Sequence, residues 1–161
     1  MPMTGALRAL LTAVALLAAL SCGDRPAAIS VQAFPAVLAS EARGEQAQWD
    51  TVSFGGSPRS PAGTYRIAPE PLLTDWNIAA LRPVTQPDGT GAAAIRLNAY
   101  GAQRLQEYSA DPANLRQPLG VRIDGRWAEF APLLTPTRDR LILYGFTADE
   151  LQRLERHIAS R

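Results

Sequence analysis

The strongest local constraint on the fold is the Asp-Gly pair at residues 124 and 125, within the stretch VRIDGRWAEFAP. Short runs that mix apolar and polar residues flank the pair, and Asp-Gly between such runs is typical of a two-residue β-hairpin turn. A turn of this kind fixes the strand register. The predicted cross-strand pairs are Ile123 with Arg126, Arg122 with Trp127, Val121 with Ala128, and Leu119 with Phe130.

The two faces of the predicted hairpin differ in chemistry. One face is apolar and is predicted to be core; it holds Leu119, Val121, Ile123, Ala128 and Phe130. On the other face Arg122 lies across from Trp127, and Glu129 is diagonal to Arg122. This cluster either only covers the sheet or offers a tryptophan platform to a partner chain. Arg122, Trp127 and Glu129 are therefore the candidate protein-contact residues.

Further strands are indicated by apolar patterns over residues 49–54, 65–68, 92–98 and 140–144. The segment 140–144 is apolar on both faces, which predicts a central strand. The segment 55–63, GGSPRSPAG, is predicted to be a loop because two prolines and three glycines leave no regular option.

Three helices are predicted from capping residues and helical spacing. The first is capped by Thr74 or Asp75 and stopped by Pro83, the second is capped by Asn98, and the third begins at the capping box Thr147 to Glu150. In the third helix Asp149 and Arg153 are predicted to pair on the outer side. The order of elements predicts an α+β fold: a mostly antiparallel or mixed sheet with about three helices packed on one face.

The N-terminus predicts export and lipid attachment. Residues 1–21 contain an uncharged apolar run, ALLTAVALLAAL, which is too short for a membrane span and fits a signal peptide. Cys22 follows directly and is the only cysteine, so it is interpreted as the lipid acceptor of a bacterial lipoprotein. Ordinary cleavage beside an incidental cysteine is the alternative. Residues 22–45, rich in Ala, Pro and Ser, are predicted to be a flexible tether that could still add an edge strand, and residues 46–161 to be the folded domain.

Composition narrows the range of functions. The formal net charge is +1, and no basic patch stands out, so neither nucleic acid nor electrostatic docking on anionic lipid is expected. His157 is the only histidine and lies in the last turns of the predicted third helix, where a structural role is expected. A Ser-His-Asp site would need that histidine, and a metal site needs several converging ligands. We expect no enzymatic activity, metal or cofactor; a paired-carboxylate hydrolase is the enzymatic alternative.

The order of several motifs resembles the head of the first periplasmic domain of SecD and SecDF, accessory subunits of the bacterial Sec translocon. The stretches LGVRIDGRWAEFAPLL and RLILYGFTADELQRLERHI carry the resemblance, with YRIAPEPLLTDWNIAALRP and AIRLNAYGAQRLQEYS upstream, over roughly residues 64–158. The family shows an apolar strand that ends in Asp-Gly, then Ala-Pro or Ser-Pro, then Gly-Phe-Thr before an acidic helix start. The matching residues here are Asp124, Gly125, Ala131, Pro132, Gly145 to Thr147, Asp149 and Glu150.

What the resemblance implies is a fold and a general role. The family's proton-linked work depends on charged residues in six membrane helices, which this sequence does not show, so that motor activity is not expected. The resemblance implies contact with polypeptide, or with translocon components, on the outer side of the cytoplasmic membrane. An exposed apolar groove or bare sheet edge would favour a polypeptide-binding module. A single compact patch would favour a structural or regulatory envelope lipoprotein that docks on a membrane complex.

Overall fold

A computed structural model describes residues 28–161 of the chain. The α-helices are α1 (Ala99–Ala110) and α2 (Ala148–Ala159), and single 3-10 turns cover Gly44–Gln48 and Asp75–Asn77. The strands in this part of the chain are β1 (Val31–Leu38), β2 (Asp50–Phe54), β3 (Gly63–Ile67), β4 (Leu73–Thr74), β5 (Ile78–Thr85), β6 (Gly91–Leu97), β7 (Pro118–Ile123), β8 (Arg126–Pro132) and β9 (Arg140–Phe146). The α+β class is therefore confirmed, with two α-helices rather than about three among residues 28–161.

The strands form two antiparallel sheets. The larger sheet has the order β2-β3-β1-β7-β8, with β4 also paired to β1, and the smaller sheet has the order β5-β6-β9. The main core lies between the sheets and the helices, and Leu105, Ile123 and Leu154 are fully buried in it. A second cluster, built around Phe34, Tyr65 and Phe130, lies apart from the main core.

The predicted tether contains a strand at the centre of the larger sheet. β1 lies between β7, which pairs with its first half, and β3, which pairs with its second half. Val31, Ala33, Phe34 and Ala36 are all at least 95% buried. Residues 31–38 therefore belong to the folded domain, contrary to the prediction of a flexible tether over 22–45. Composition misled here because Ala and Pro are common in linkers, whereas Pro35 sits where β1 changes partners.

The first predicted helix is a strand. After one 3-10 turn over Asp75–Asn77, the chain pairs antiparallel with β6 as β5. Pro83 is tolerated because β5 is an edge strand, the position in a sheet to which proline is largely confined. The other two helices are confirmed with their caps: the Asn98 side chain accepts from the N–H of Gly101 at 2.9 Å, and Thr147 and Glu150 form the predicted capping box.

The hairpin turn is confirmed, but the register beyond it changes. Asp124 and Gly125 have φ values of 47° and 84°, which only the primed turns use. Arg122 pairs with Trp127 as predicted, whereas Val121 pairs with Glu129, so the predicted pairing of Val121 with Ala128 is wrong.

A bulge at Ala128 explains this difference. An extra residue in one strand shifts every later side chain relative to the partner strand. Phe130 therefore does not join Leu119 and Val121 in the main core but packs in the second cluster.

Two further details of α2 and β9 differ from the sequence prediction. Arg153 does not pair with Asp149; its guanidinium bonds the Asp124 carboxylate at 2.8 Å and the Ala28 carbonyl at 2.8 Å. β9 is not central: among the strands within residues 28–161 it pairs only with β6, and its Ile142 side chain is 44% exposed.

Candidate functional site

The structure brings together two of the three predicted contact residues. The Arg122 guanidinium carbon lies 5.5 Å from the Trp127 ring centre and 4.8 Å from that of Phe34. Arg122 also donates two hydrogen bonds to the Gln32 amide oxygen, at 3.0 and 2.6 Å. The predicted Arg–Trp stack exists, but its guanidinium is engaged within the domain.

Trp127 is half-buried rather than presented to solvent. Its ring packs edge-on against Phe34 at 5.5 Å and stacks on Phe130 at 5.4 Å between ring centres. Tyr65 and Phe54 continue this aromatic cluster behind Phe130. We call the surface formed by Phe34, Phe54, Tyr65, Trp127 and Phe130 the aromatic face; it is a second, smaller core.

Glu129 does not pair with Arg122, because the bulge turns it away. It is 2% exposed, and its carboxylate accepts hydrogen bonds from the Ser57 hydroxyl at 2.7 Å, from the Ser60 hydroxyl, and from the Phe130 N–H at 3.0 Å. Burial raises the pKa of the nearby Tyr65 phenol, and the charge on Glu129 raises it further. These bonds hold the 55–62 loop over the aromatic face, which is therefore largely covered.

A broad concave surface lies on the smaller sheet. A cavity of about 720 Å³ lies over the outer face of β5, β6 and β9 and is walled by the segment that follows β8. The pairing register sets three cross-strand rows on this face: Ala80 with Arg96 and Arg140, Arg82 with Ala94 and Ile142, and Val84 with Ala92 and Tyr144. We call this surface the groove.

The groove combines apolar and cationic side chains. Ala94 and Ile142 form the middle of its floor, and Leu134, which is 78% exposed, forms part of its wall. Three arginines, Arg82, Arg96 and Arg140, also line it, and none of them makes an ion pair within residues 28–161. An apolar floor with unpaired cations suits a ligand that carries both apolar and acidic groups.

The 55–62 loop also closes one end of the groove. Its Arg59 guanidinium lies 4.4 Å from the Tyr144 ring centre and bonds Asp88 at 3.3 Å and Gln86 at 2.7 Å. Hydrogen bonds from Thr90, with a smaller contribution from Arg59, hold the pKa of Asp88 below its usual range. The same loop therefore covers the aromatic face and limits the groove.

His157 lies in an ion-paired cluster near the C-terminus. Its Nε2 atom is 3.1 Å from Oδ2 of the buried Asp75, and the Arg161 guanidinium bonds the same oxygen at 2.5 Å. Within residues 28–161, no group of three His, Cys, Asp or Glu side chains is placed to hold a metal ion. None of the helices in that range is long and apolar enough to cross a membrane. The predicted lipid acceptor, Cys22, lies outside the described residues.

Sequence reasoning missed the groove residues. The two apolar faces of 140–144 predict a strand buried inside a sheet, whereas Ile142 on the outer face of β9 is 44% exposed. The available signal was that second apolar face of β9, which marks either a central strand or an uncovered surface. Because β9 pairs with β6 and with no other strand within residues 28–161, its second apolar face is an uncovered surface.

Comparison with known proteins shows similarity at the level of the fold. No protein-family model and no curated protein sequence matches the chain. A solved structure of SecDF, described as a membrane component that enhances protein export, is similar with a TM-score of 0.53 and 15% identity. A second, of SecDF in a Super-membrane-facing form, has a TM-score of 0.51 and 15% identity.

The two matches cover the same share of this chain but different shares of the SecDF chains. Each covers 81% of this chain, which spans 62% of the first SecDF chain and 18% of the second. The SecD-like fold expected from the motifs is thus found in the structure.

Proposed function

We propose that the protein is a lipid-anchored, non-enzymatic protein of the bacterial cell envelope whose SecD-head-like domain binds extended polypeptide on the outer side of the cytoplasmic membrane. The groove is the observation that carries this proposal. The anchor is the lipid expected on Cys22.

The shape of the groove suits an extended chain rather than a compact ligand. It is open along a three-stranded sheet, and its middle row, Arg82, Ala94 and Ile142, alternates with rows that present other side chains. Extended peptides dock on sheets by placing alternate side chains into such surfaces. Leu134 and Ile142 are exposed apolar side chains of the groove. An unfolded segment presents the apolar side chains that can pack against them, whereas a folded surface seldom does.

The groove arginines add a preference for acidic segments. Arg96 and Arg140 are directly opposite each other in the register, so two like charges meet on one face without an acidic partner among residues 28–161. Like charges across strands are unfavourable, and a bound carboxylate would relieve their repulsion. Segments that combine acidic and apolar residues are the best fit.

The alternative is docking on a membrane complex such as the Sec translocon. The similarity to SecDF, which enhances protein export, favours a place in export for this chain under either reading. The groove favours direct polypeptide binding, because a surface for one fixed protein partner need not be open and concave.

Site-specific crosslinking in cells tests the proposal. A photoreactive residue at Leu134, in the groove, should give adducts of many sizes with newly exported polypeptides. The same probe at Trp127, on the covered aromatic face, is the matched control and should give few. A single discrete adduct from Leu134 would favour docking on one partner protein, and no adduct at all would contradict both forms of the proposal.

A further inference from the structure

Two large aromatic side chains are exposed on neighbouring elements, Trp76 in the 3-10 turn Asp75–Asn77 and Tyr100 in the first turn of α1. Trp76 is 70% exposed and Tyr100 is 63% exposed. Their elements are joined directly, because the Asn98 side chain donates to the Trp76 carbonyl at 2.9 Å and Gly101 packs against Asn77. An exposed tryptophan and an exposed tyrosine on two contacting elements are unusual on a protein surface that meets only water.

An arginine accompanies each ring. The Arg161 guanidinium lies 4.1 Å from the Trp76 ring centre, and that of Arg104 lies 5.8 Å from the Tyr100 ring centre. Arg161 is paired with the buried Asp75, so of the two arginines only Arg104 lacks an ion pair within residues 28–161. We call Trp76, Tyr100, Arg104 and Arg161 the aromatic patch.

The patch has the chemistry of the membrane–water interface. Tryptophan and tyrosine concentrate at the level of lipid headgroups, because their rings are apolar and their N–H or O–H group stays hydrated. Arginine beside them bonds phosphate oxygens. Because only one arginine of the patch lacks an ion pair within residues 28–161, the attraction would come from the rings rather than from anionic lipid, in agreement with the sequence prediction that electrostatic docking is not expected.

The short connection to the expected anchor places a membrane close to this end. Ala28 is fixed to the domain, because its carbonyl accepts a hydrogen bond from Arg153 of α2. Ala28 follows Cys22 by six positions, so at most about 20 Å of chain separates a lipid on Cys22 from the domain. A domain of this size is roughly 35 Å across, so the anchor cannot hold it far from the bilayer.

The patch lies on the same side as that connection. Arg153 in α2 holds Ala28, and Arg161, just past the end of α2, stacks on Trp76. The two arginines are eight positions apart, which corresponds to about 12 Å along a helix axis. Alternate residues of β6 point to opposite faces of the smaller sheet. Ala93 and Ile95 pack in the core with Leu151 and Leu154 of α2, whereas Ala94 and Arg96 line the groove. The groove and α2 therefore lie on opposite faces of this sheet. A membrane at the patch would leave the groove open.

We propose that the aromatic patch seats Trp76 and Tyr100 in the phospholipid headgroup region and orients the anchored domain with its groove away from the membrane. This inference rests on the lipid anchor of the proposed function, but not on polypeptide binding. The occupant is a lipid surface; a protein partner at the same patch is a competing outcome of the test.

Fluorescence quenching in vesicles tests the orientation. The full lipid-modified chain is reconstituted into vesicles of phosphatidylethanolamine and phosphatidylglycerol, and flotation with the vesicles confirms the anchor. Lipids brominated near the headgroup end of their acyl chains should then quench tryptophan emission. The Trp76→Phe variant should lose most of this quenching, whereas Trp49→Phe, the control at a half-buried tryptophan, should retain it. Quenching should persist at high salt and in phosphatidylcholine vesicles, because the rings carry the attraction.

A second pair of variants tests the contribution of the patch itself. Tyr100→Ser should reduce quenching of Trp76 severalfold, and Leu134→Ser, which truncates an even more exposed side chain in the groove, should not. A chain that floats but shows no quenching, or quenching unchanged in Trp76→Phe, overturns the proposal while leaving the anchor intact. A chain that does not float removes the anchor and the orientation together. Trp76 that is unquenched in vesicles but protected from aqueous quenchers in native membranes would identify a protein partner instead and also overturn it.

Discussion

The aromatic face and the groove are both rich in apolar side chains, yet one is covered and the other is open. On the aromatic face, Phe130 is 2% exposed beneath the 55–62 loop, whose serines bond Glu129. In the groove, Ile142 and Leu134 remain 44% and 78% exposed. The difference teaches that apolar content does not identify a contact surface; what matters is whether another part of the chain already covers it.

The two faces also differ in how their charges are satisfied. Arg122 on the aromatic face is bonded to Gln32, and Glu129 is bonded to two serines. In the groove, Arg96 and Arg140 face each other without an acidic partner among residues 28–161. Satisfied polar groups stabilise the fold, whereas unsatisfied ones on an open face are available to a ligand.

The largest expected difference concerns truncation of a large side chain on each face. Phe130→Ala should lower the free energy of unfolding by about 3–5 kcal/mol, because it empties a packed aromatic cluster. Ile142→Ala should lower it by less than about 1 kcal/mol, because that side chain is already half in water. Chemical denaturation of both variants measures this; equal losses would show that the groove floor is core.

Enlarging a small residue on each face should give the next largest effect. A Cβ atom at Gly120 would lie 2.7 Å from the Phe130 ring and 3.0 Å from that of Trp127, so Gly120→Ala should cost about 1–3 kcal/mol. Ala94→Val, beneath the open groove, should cost less than about 1 kcal/mol. If Gly120→Ala is neutral in the same denaturation assay, the aromatic face is not tightly packed.

Releasing the loop should uncover the aromatic face at a moderate cost. Ser60 is 3% exposed and its hydroxyl bonds Glu129 and the Phe130 carbonyl, so Ser60→Ala should cost about 1–2 kcal/mol. Acrylamide should then quench Trp127 emission more strongly. The exposed Ser53→Ala is the control and should change neither quantity. Unchanged quenching in Ser60→Ala would mean that the loop does not depend on this bond.

The smallest expected effect is a dependence of stability on alkaline pH that arises on the covered face. Burial and the charge of Glu129 raise the pKa of Tyr65, so the folded state holds the phenol proton more tightly than the unfolded state does. This contribution to stability is fully present below about pH 10 and is lost as the pH rises toward the folded pKa. The unfolding free energy of the Tyr65→Phe variant should therefore fall less steeply than that of the unsubstituted protein above about pH 10. The remaining slope is expected from Tyr108, whose pKa burial raises to about 12.

Local signals predicted the parts of the fold that depend on neighbouring residues. The Asp124–Gly125 turn and the caps at Asn98 and Thr147 were found because each needs a few residue types within one turn of chain. The similarity to SecDF was found from the order of such motifs and holds at the level of fold.

Features set by distant pairing were not predictable in this way. The edge position of β9 and the central place of β1 depend on strands that are distant in the chain, and the bulge at Ala128 is a register shift that leaves no residue signature. The groove exists because of these features, which the sequence does not reveal. Reasoning from the sequence therefore placed the candidate site on the hairpin face, which the 55–62 loop covers. A strand with two apolar faces, as in β9, should be read as either buried or unoccupied until its partners are known.

The most direct test of the comparison is binding of a fluorescently labelled, permanently unfolded polypeptide to the purified chain. The double variant Leu134→Ser/Ile142→Ser should weaken affinity at least about tenfold, since two apolar contacts of the groove are lost. Trp127→Phe, which preserves packing on the aromatic face, should leave affinity within about twofold, a change worth less than half a kcal/mol. Binding unaffected by the groove variant but weakened by Trp127→Phe would contradict the account and return the contact surface to the hairpin.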